Sequence, residues 1–281
     1  MQVQESAKTL LQNIDKNVEG NNELDIHKLI KSFALDSIAK ITCSIKVDSY
    51  NKWDSEVVKI ANSSFNMTIF NLAFMFPWLF NKLKISIMNA KFMEYFKNLS
   101  KSVLDQRKKD GTCDKYNDVL AVMSRVRKGH NLDGDSDHIN SSDLSKTSED
   151  IISKTVMQFY FDGYETTTSL ILPLLFILSL NPNEQVKIRF ISVVKQKKFF
   201  CDLSQEKAIK EVDQIFSEHG EELSGNDIKK LTYLDQVIQE VTRLTPVFPP
   251  ARICTKDWKI PNSDVVIRKG MRVLLGLGKE S

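Results

Sequence analysis

The run QFYFDGYETTTSLILPLLFILSL, residues 158–180, decides the architecture. Most of its positions are aromatic or aliphatic, the composition of a buried helix. Its middle nevertheless holds Asp162, Gly163 and Glu165, followed by Thr166, Thr167 and Thr168. A glycine costs a helix interior roughly 1 kcal/mol relative to alanine, and β-branched threonines propagate a helix poorly. Two carboxylates and four weak helix formers inside an apolar run require a reason beyond helix formation.

Outward from this run, Thr147 and Asp150 have capping-box spacing, so the helix is expected to start near Thr147. The apolar pattern continues to Leu180, where Asn181-Pro182 stops it. About 30 residues make a helix of roughly 45 Å, long enough to cross a domain. Pro173 lies inside it and should kink it or loosen one hydrogen bond. Apolar residues at three- and four-residue spacing predict further helices in ESAKTLLQNI, DIHKLIKSFALDSIAKI, NAKFMEYFKNLSKSVLDQRKK, EKAIKEVDQIFSEHG and NDIKKLTYLDQVIQEVTRLTP. Near the end, DWKI, VVIRKG and MRVLL read as short strands, the first two joined by the turn Pro261–Asp264. The fold class is mainly α with a small β-meander, built around the long central helix.

The totals exclude several classes. Net charge is +3, with lysine and arginine interleaved with acids along the chain, so no nucleic-acid partner is expected. Cys43, Cys113, Cys201 and Cys254 lie far apart without CxxC or Cys/His spacing, which argues against a zinc site or a disulfide framework. Asp133, Asp135 and Asp137 suggest a calcium loop, yet its sixth position would be His138 and its twelfth Leu144, so no metal site is assigned. The charge-free stretch from Ile60 to Asn81 is too rich in Asn, Ser and Thr to span a bilayer. Its cluster IFNLAFMFPWLF is either core or a patch for a membrane or apolar ligand.

Two constellations could carry chemistry. On a helix, Phe159, Gly163, Thr166 or Thr167, and Leu170 share a face. Gly163 removes a side chain there, Thr166 offers a hydroxyl one turn on, and Glu165 adds an acid. That set suits proton delivery to a flat ligand lying against the helix. The same residues suit still better close helix packing at Gly163, with threonine hydroxyls bonding back to i−4 carbonyls. Glu240 and Arg243 stand three apart among Leu234, Ile238, Val241 and Leu244, the setting of a partly buried structural ion pair.

The order of these features is more specific than any one of them. FDGYETTT, then Asn-Pro, then YLDQVIQEVTRL, then PPARICTKDWKIP, resembles the cytochrome P-450 haem-thiolate monooxygenases. DGYETT matches the family's oxygen-activation motif (Ala/Gly)-Gly-x-(Asp/Glu)-Thr-(Thr/Ser), with Asp162 where a small residue is usual. EVTR matches Glu-x-x-Arg, and KVDSYN and TSEDIISKTVMQFYF look like the microsomal, xenobiotic-metabolising branch. The resemblance implies that Glu165 and Thr166 relay protons to bound dioxygen and that Gly163 gives room beside the haem. Glu240 and Arg243 would hold the core beneath it, and Arg252 would pair with a haem propionate. It also implies hydroxylation of a small apolar substrate, a flavoprotein reductase as electron donor, and attachment to the endoplasmic reticulum membrane on its cytoplasmic face.

The matching part begins after the family's membrane anchor and early helices. The pattern Phe-x-x-Gly-x-x-x-Cys-x-Gly, which supplies the axial thiolate, does not occur in these 281 residues. Residues 1–281 are therefore read as one partial domain, a little over half of the family's, and as inactive by themselves. Residues 186–205 interrupt the join between NPNEQ and EKAIKEV and are expected to be an insertion, and 276–281 an aberrant end. The rival from another class is a non-catalytic helical binding or scaffold protein.

Overall fold

The computed structural model describes residues 2–20, 23–64, 66–127, 149–179, 205–220, 223–247 and 251–274. Thr147, the aspartates at 133–137, the expected insertion at 186–205 (except its last residue, Gln205) and the end at 276–281 lie outside them. The chain divides into two compact units, residues 1–168 and 169–281.

In the first unit the helices are α1 (Gln2–Glu19), α2 (Ile26–Cys43), α3 (Glu56–Asn62), α4 (Met67–Met75), α5 (Pro77–Leu83), α6 (Ala90–Lys109), α7 (Val119–Arg127) and the start of α8 (Glu149–Ser179). Local chemistry fixes several of their ends. The Asp25 carboxylate accepts from the Lys28 N–H, and Asn89 accepts from Lys91 N, each covering an otherwise unpartnered amide. Basic Arg107, Lys108 and Lys109 finish α6, complementing its dipole.

The core of this unit is the buried stripe of α8, namely Ile152, Val156, Tyr160 and Tyr164 at four-residue spacing with Met157 beside them. It packs with Leu35, Ile38 and Ala39 of α2, Val58 of α3, Phe92 and Phe96 of α6, and Leu120 of α7. The Phe96 ring centroid lies 4.7 Å from Phe92 and 4.4 Å from Tyr160, so aromatic stacking joins α6 to α8. In the cluster 69–80, Ile69, Phe70, Leu79 and Phe80 are half-buried and Leu72 is exposed. Phe76 and Trp78 are exposed, Trp78 at 63%, while Ala73 is buried. Among the described residues no helix is long and apolar enough to cross a membrane.

Helix α8 covers the described part of the 158–180 run, begins within the described residues at Glu149, and continues through Pro173. Proline offers no N–H, so the Ser169 carbonyl loses its helical donor and the helix is loosened there rather than ended. The unit boundary falls at the same point, between Thr168 and Ser169.

The second unit contains the rest of α8, then α9 (Gln205–His219), α10 (Gly225–Ile228) and α11 (Thr232–Leu244). NDIKKLTYLDQVIQEVTRLTP is thus two helices instead of one, and caps explain the break. Ser224 and Asp227 form a capping box around one short turn. The Glu211 carboxylate, from α9, then accepts from Tyr233 N at 2.8 Å and Leu234 N at 2.9 Å, which starts α11 afresh. Burial raises the Glu211 pKa, but those amides and the Thr232 hydroxyl outweigh it and hold the carboxyl below its ordinary range. Val237 and Val241 of α11 are fully buried against Ile177 and Leu174 of α8.

The strands are β1 (Ala251–Ile253), β2 (Trp258–Lys259), β3 (Val266–Ile267) and β4 (Arg272–Leu274). β2 and β3 pair antiparallel across the Pro261–Asp264 turn, and β4 pairs with β1, Arg252 opposite Val273. The small sheet region therefore closes as one hairpin nested inside another, a tighter arrangement than strictly consecutive pairing.

Candidate functional site

Helix α8 buries one side and leaves the other open. Phe159 is 43% exposed, Asp162 is exposed and Thr166 is half-buried, at spacings of three and four that put them on one face. The Thr166 hydroxyl donates to the Asp162 carbonyl, and Thr168 donates to the Tyr164 carbonyl at 2.9 Å. These back-bonds are the packing-type arrangement that the sequence leaves open for the threonines. The Asp162 carboxylate accepts from Gln158 Nε2 at 2.8 Å.

Gly163 sits beside the buried stripe, against α2. A Cβ there would stand 2.5 Å from Ile38 Cδ1 and 2.9 Å from its Cγ1. Unstrained carbon contacts are about 3.5–4.0 Å, so the glycine makes room for Ile38. Alanine at 163 would gain roughly 1 kcal/mol of helix propensity and incur an overpacking cost of about 1–3 kcal/mol. Gly163→Ala should therefore lower stability by about 1 kcal/mol in urea denaturation. In an Ile38→Ala background, which lacks both Cδ1 and Cγ1, most of that loss should disappear. Strictly additive effects would show that the two positions do not touch.

Glu165 faces α2 and α3. Its Oε1 lies 3.6 Å from Lys31 Nζ and accepts from Ser64 Oγ at 3.4 Å. Lys31 also donates to Asn62 Oδ1 at 3.2 Å, and the same oxygen accepts from the Tyr164 hydroxyl at 2.6 Å. The Lys31 ammonium stands 5.4 Å from the Tyr164 ring centroid. Lys31, Asn62 and Ser64 are absent from the sequence reading of the site. They stand about 100–135 positions from Glu165, and no local spacing announces them.

In the second unit, Glu240 and Arg243 form a bidentate pair, Arg243 Nε to Oε2 at 2.7 Å and Nη2 to Oε1 at 2.6 Å. The Arg243 hydrogen bonds, opposed by partial burial, lower the Glu240 pKa. Arg252 is exposed on β1, its guanidinium donating to the Ala251 carbonyl at 2.9 Å, and no described carboxylate pairs with it. Gly163, Glu165 and Thr166 thus belong to one unit, and Glu240, Arg243 and Arg252 to the other.

None of the three described cysteines suits a metal. Cys43 is buried in the core, and desolvation pushes its thiol pKa up, away from thiolate character. The Cys254 thiol is directed at the Lys256 and Ile267 carbonyls, and Cys113 is half-buried beside the end of α6. Among the described residues no group of three His, Cys, Asp or Glu could hold a metal ion.

Comparison with known proteins adds a family. The cytochrome P450 profile matches residues 2–192 and 204–279. Cytochrome P450 6B2 of Helicoverpa armigera is 26% identical over 273 residues, covering 96% of this chain and 50% of that protein. Probable cytochrome P450 6d5 of Drosophila melanogaster is 28% identical over 270 residues, 92% of this chain and 48% of that protein. For cytochrome P450 6B1 of Papilio polyxenes the values are 25% over 272 residues, 94% and 49%. The chain spans about half the length of the curated relatives it matches.

Proposed function

Because the chain belongs to the cytochrome P450 family, we propose that it forms the oxygen-side part of a haem-dependent monooxygenase. The reaction is R–H + O2 + 2e⁻ + 2H⁺ → R–OH + H2O, on small apolar compounds, with electrons from a flavoprotein reductase. The observation that carries this reading is the open face of α8, where Asp162 and the Thr166 hydroxyl interrupt an apolar helix. The haem, when bound, supplies the activation of dioxygen.

Each unit, taken by itself, offers residues that would suit such a group. Phe159 and Thr166 leave an open surface on α8, and Arg252 offers an exposed guanidinium for a carboxylate. Among the described cysteines, Cys43 is buried in the core and the Cys254 thiol is turned to backbone carbonyls, so neither would supply a thiolate to it. Thr166 Oγ1 keeps its proton on the Asp162 carbonyl and can turn it toward a ligand on the open face. Lys31 and Ser64 hold Glu165 behind it. Gly163 contributes by admitting Ile38, which sets how closely α8 approaches α2. Glu240 and Arg243 act as a structural pair. Residues 186–205 are proposed to be an insertion, in keeping with the unmatched 193–203. The whole protein is proposed to work at the endoplasmic reticulum membrane, a placement the apolar surface of α4 and α5 supports.

The test is the reduced, carbon monoxide-bound absorption spectrum of the whole protein. A red-shifted, thiolate-type Soret band is expected, and the 281 residues alone should give none. Absence of haem from the whole protein would favour the non-catalytic scaffold.

A further inference from the structure

We propose that Asp162 is a specificity-determining carboxylate, selecting apolar compounds that carry a protonated amine. The inference rests on the open face of α8 being the ligand face. Asp162 is exposed there between Phe159 and Thr166.

Among the described residues no cation pairs with the Asp162 carboxylate. Gln158 gives it one neutral hydrogen bond from Nε2 at 2.8 Å. Lys31, the cation recruited by this turn, is committed to Glu165 and Asn62 on the α2–α3 side. The two acids therefore have different duties. Glu165 ties α8 to its neighbours, and Asp162 is the acid that the open face presents.

In water the Asp162 carboxylate is solvated at no cost. A ligand covering the face would strip that water away, and one neutral donor does not replace it. A wholly apolar ligand is penalised for this reason. A ligand with its own ammonium group beside an apolar body restores a charge-assisted hydrogen bond and lays the rest of its surface on Phe159. Selection thus works both by attraction of the amine and by rejection of its neutral counterpart.

The test is equilibrium dialysis of the whole, haem-loaded protein with two probes of one shape, 4-phenyl-N,N-dimethylbutylamine and the isostere in which CH replaces the nitrogen. The tertiary amine is too crowded to ligate a metal readily. Wild type should retain the amine more tightly, and Asp162→Asn should weaken the amine by roughly tenfold while the isostere is unchanged or improved. Circular dichroism should show the variant folded, since Asp162 packs against nothing in the core. Equal binding of both probes by wild type, or equal weakening of both by the substitution, would overturn the proposal and leave the ligand-face reading intact. Failure of both probes to bind wild type would overturn the ligand face itself and the inference with it.

Discussion

Asp118→Ala should lower the unfolding free energy of the first unit by roughly 3–5 kcal/mol, the range for stranding one partner of a buried ion pair. The Asp118 side chain is 0% exposed and that of Arg107 6%. Arg107 Nη1 donates to Oδ1 at 3.0 Å and Nη2 to Oδ2 at 2.7 Å. The same carboxylate accepts from Ser44 Oγ at 2.6 Å and Ala121 N at 2.9 Å, while Arg107 Nη2 reaches the Cys43 carbonyl at 2.6 Å. The Tyr116 ring covers the guanidinium at 3.8 Å. One carboxylate thereby joins the end of α2, the end of α6 and the start of α7. Alanine would leave a guanidinium, a hydroxyl and an amide without their acceptor in a place water does not reach. Urea denaturation followed by far-ultraviolet circular dichroism measures the loss. Replacing both partners, Arg107→Met with Asp118→Leu, should cost less than Asp118→Ala alone, because no charge is left buried. A single-variant loss below about 1 kcal/mol would mean that the pair is effectively solvated.

That ion pair marks the limit of what the residues disclose by themselves. Helix α8 was legible because its long apolar run carries a local signal. The described helix, Glu149–Ser179, covers the described part of that run. The strands were legible from alternation and from the turn residues Pro261–Asp264. The α10/α11 break was half visible, since Ser224-x-x-Asp227 is a capping pattern, whereas the Glu211 cap comes from another helix. Periodicity says which face of a helix is apolar and does not say which helix it meets. The contact of Gly163 with Ile38, and the commitment of Glu165 to Lys31 and Ser64, therefore required the fold. Both bear on chemistry. They move Gly163 to the packed side of α8 and leave Asp162 and Thr166 on its open side.

The central claim is that this open side is where oxygen is handled, and Thr166→Ala in the whole, haem-loaded protein tests it most directly. The hydroxyl is half-buried on the face, and its i−4 bond to the Asp162 carbonyl shows that helix geometry alone satisfies it. Removing it should disturb the fold little, because that bond is local and Thr is a poor helix former. Substrate should bind as before, while product formed per pair of electrons falls by roughly tenfold or more, within the range that general acid catalysis supplies. The missing oxygen should appear as hydrogen peroxide, which takes two electrons and two protons and leaves the substrate untouched. Thr166→Ser, which keeps the hydroxyl, should restore most of the yield. Unchanged product yield and no added peroxide in Thr166→Ala would contradict the account and leave Thr166 a packing residue.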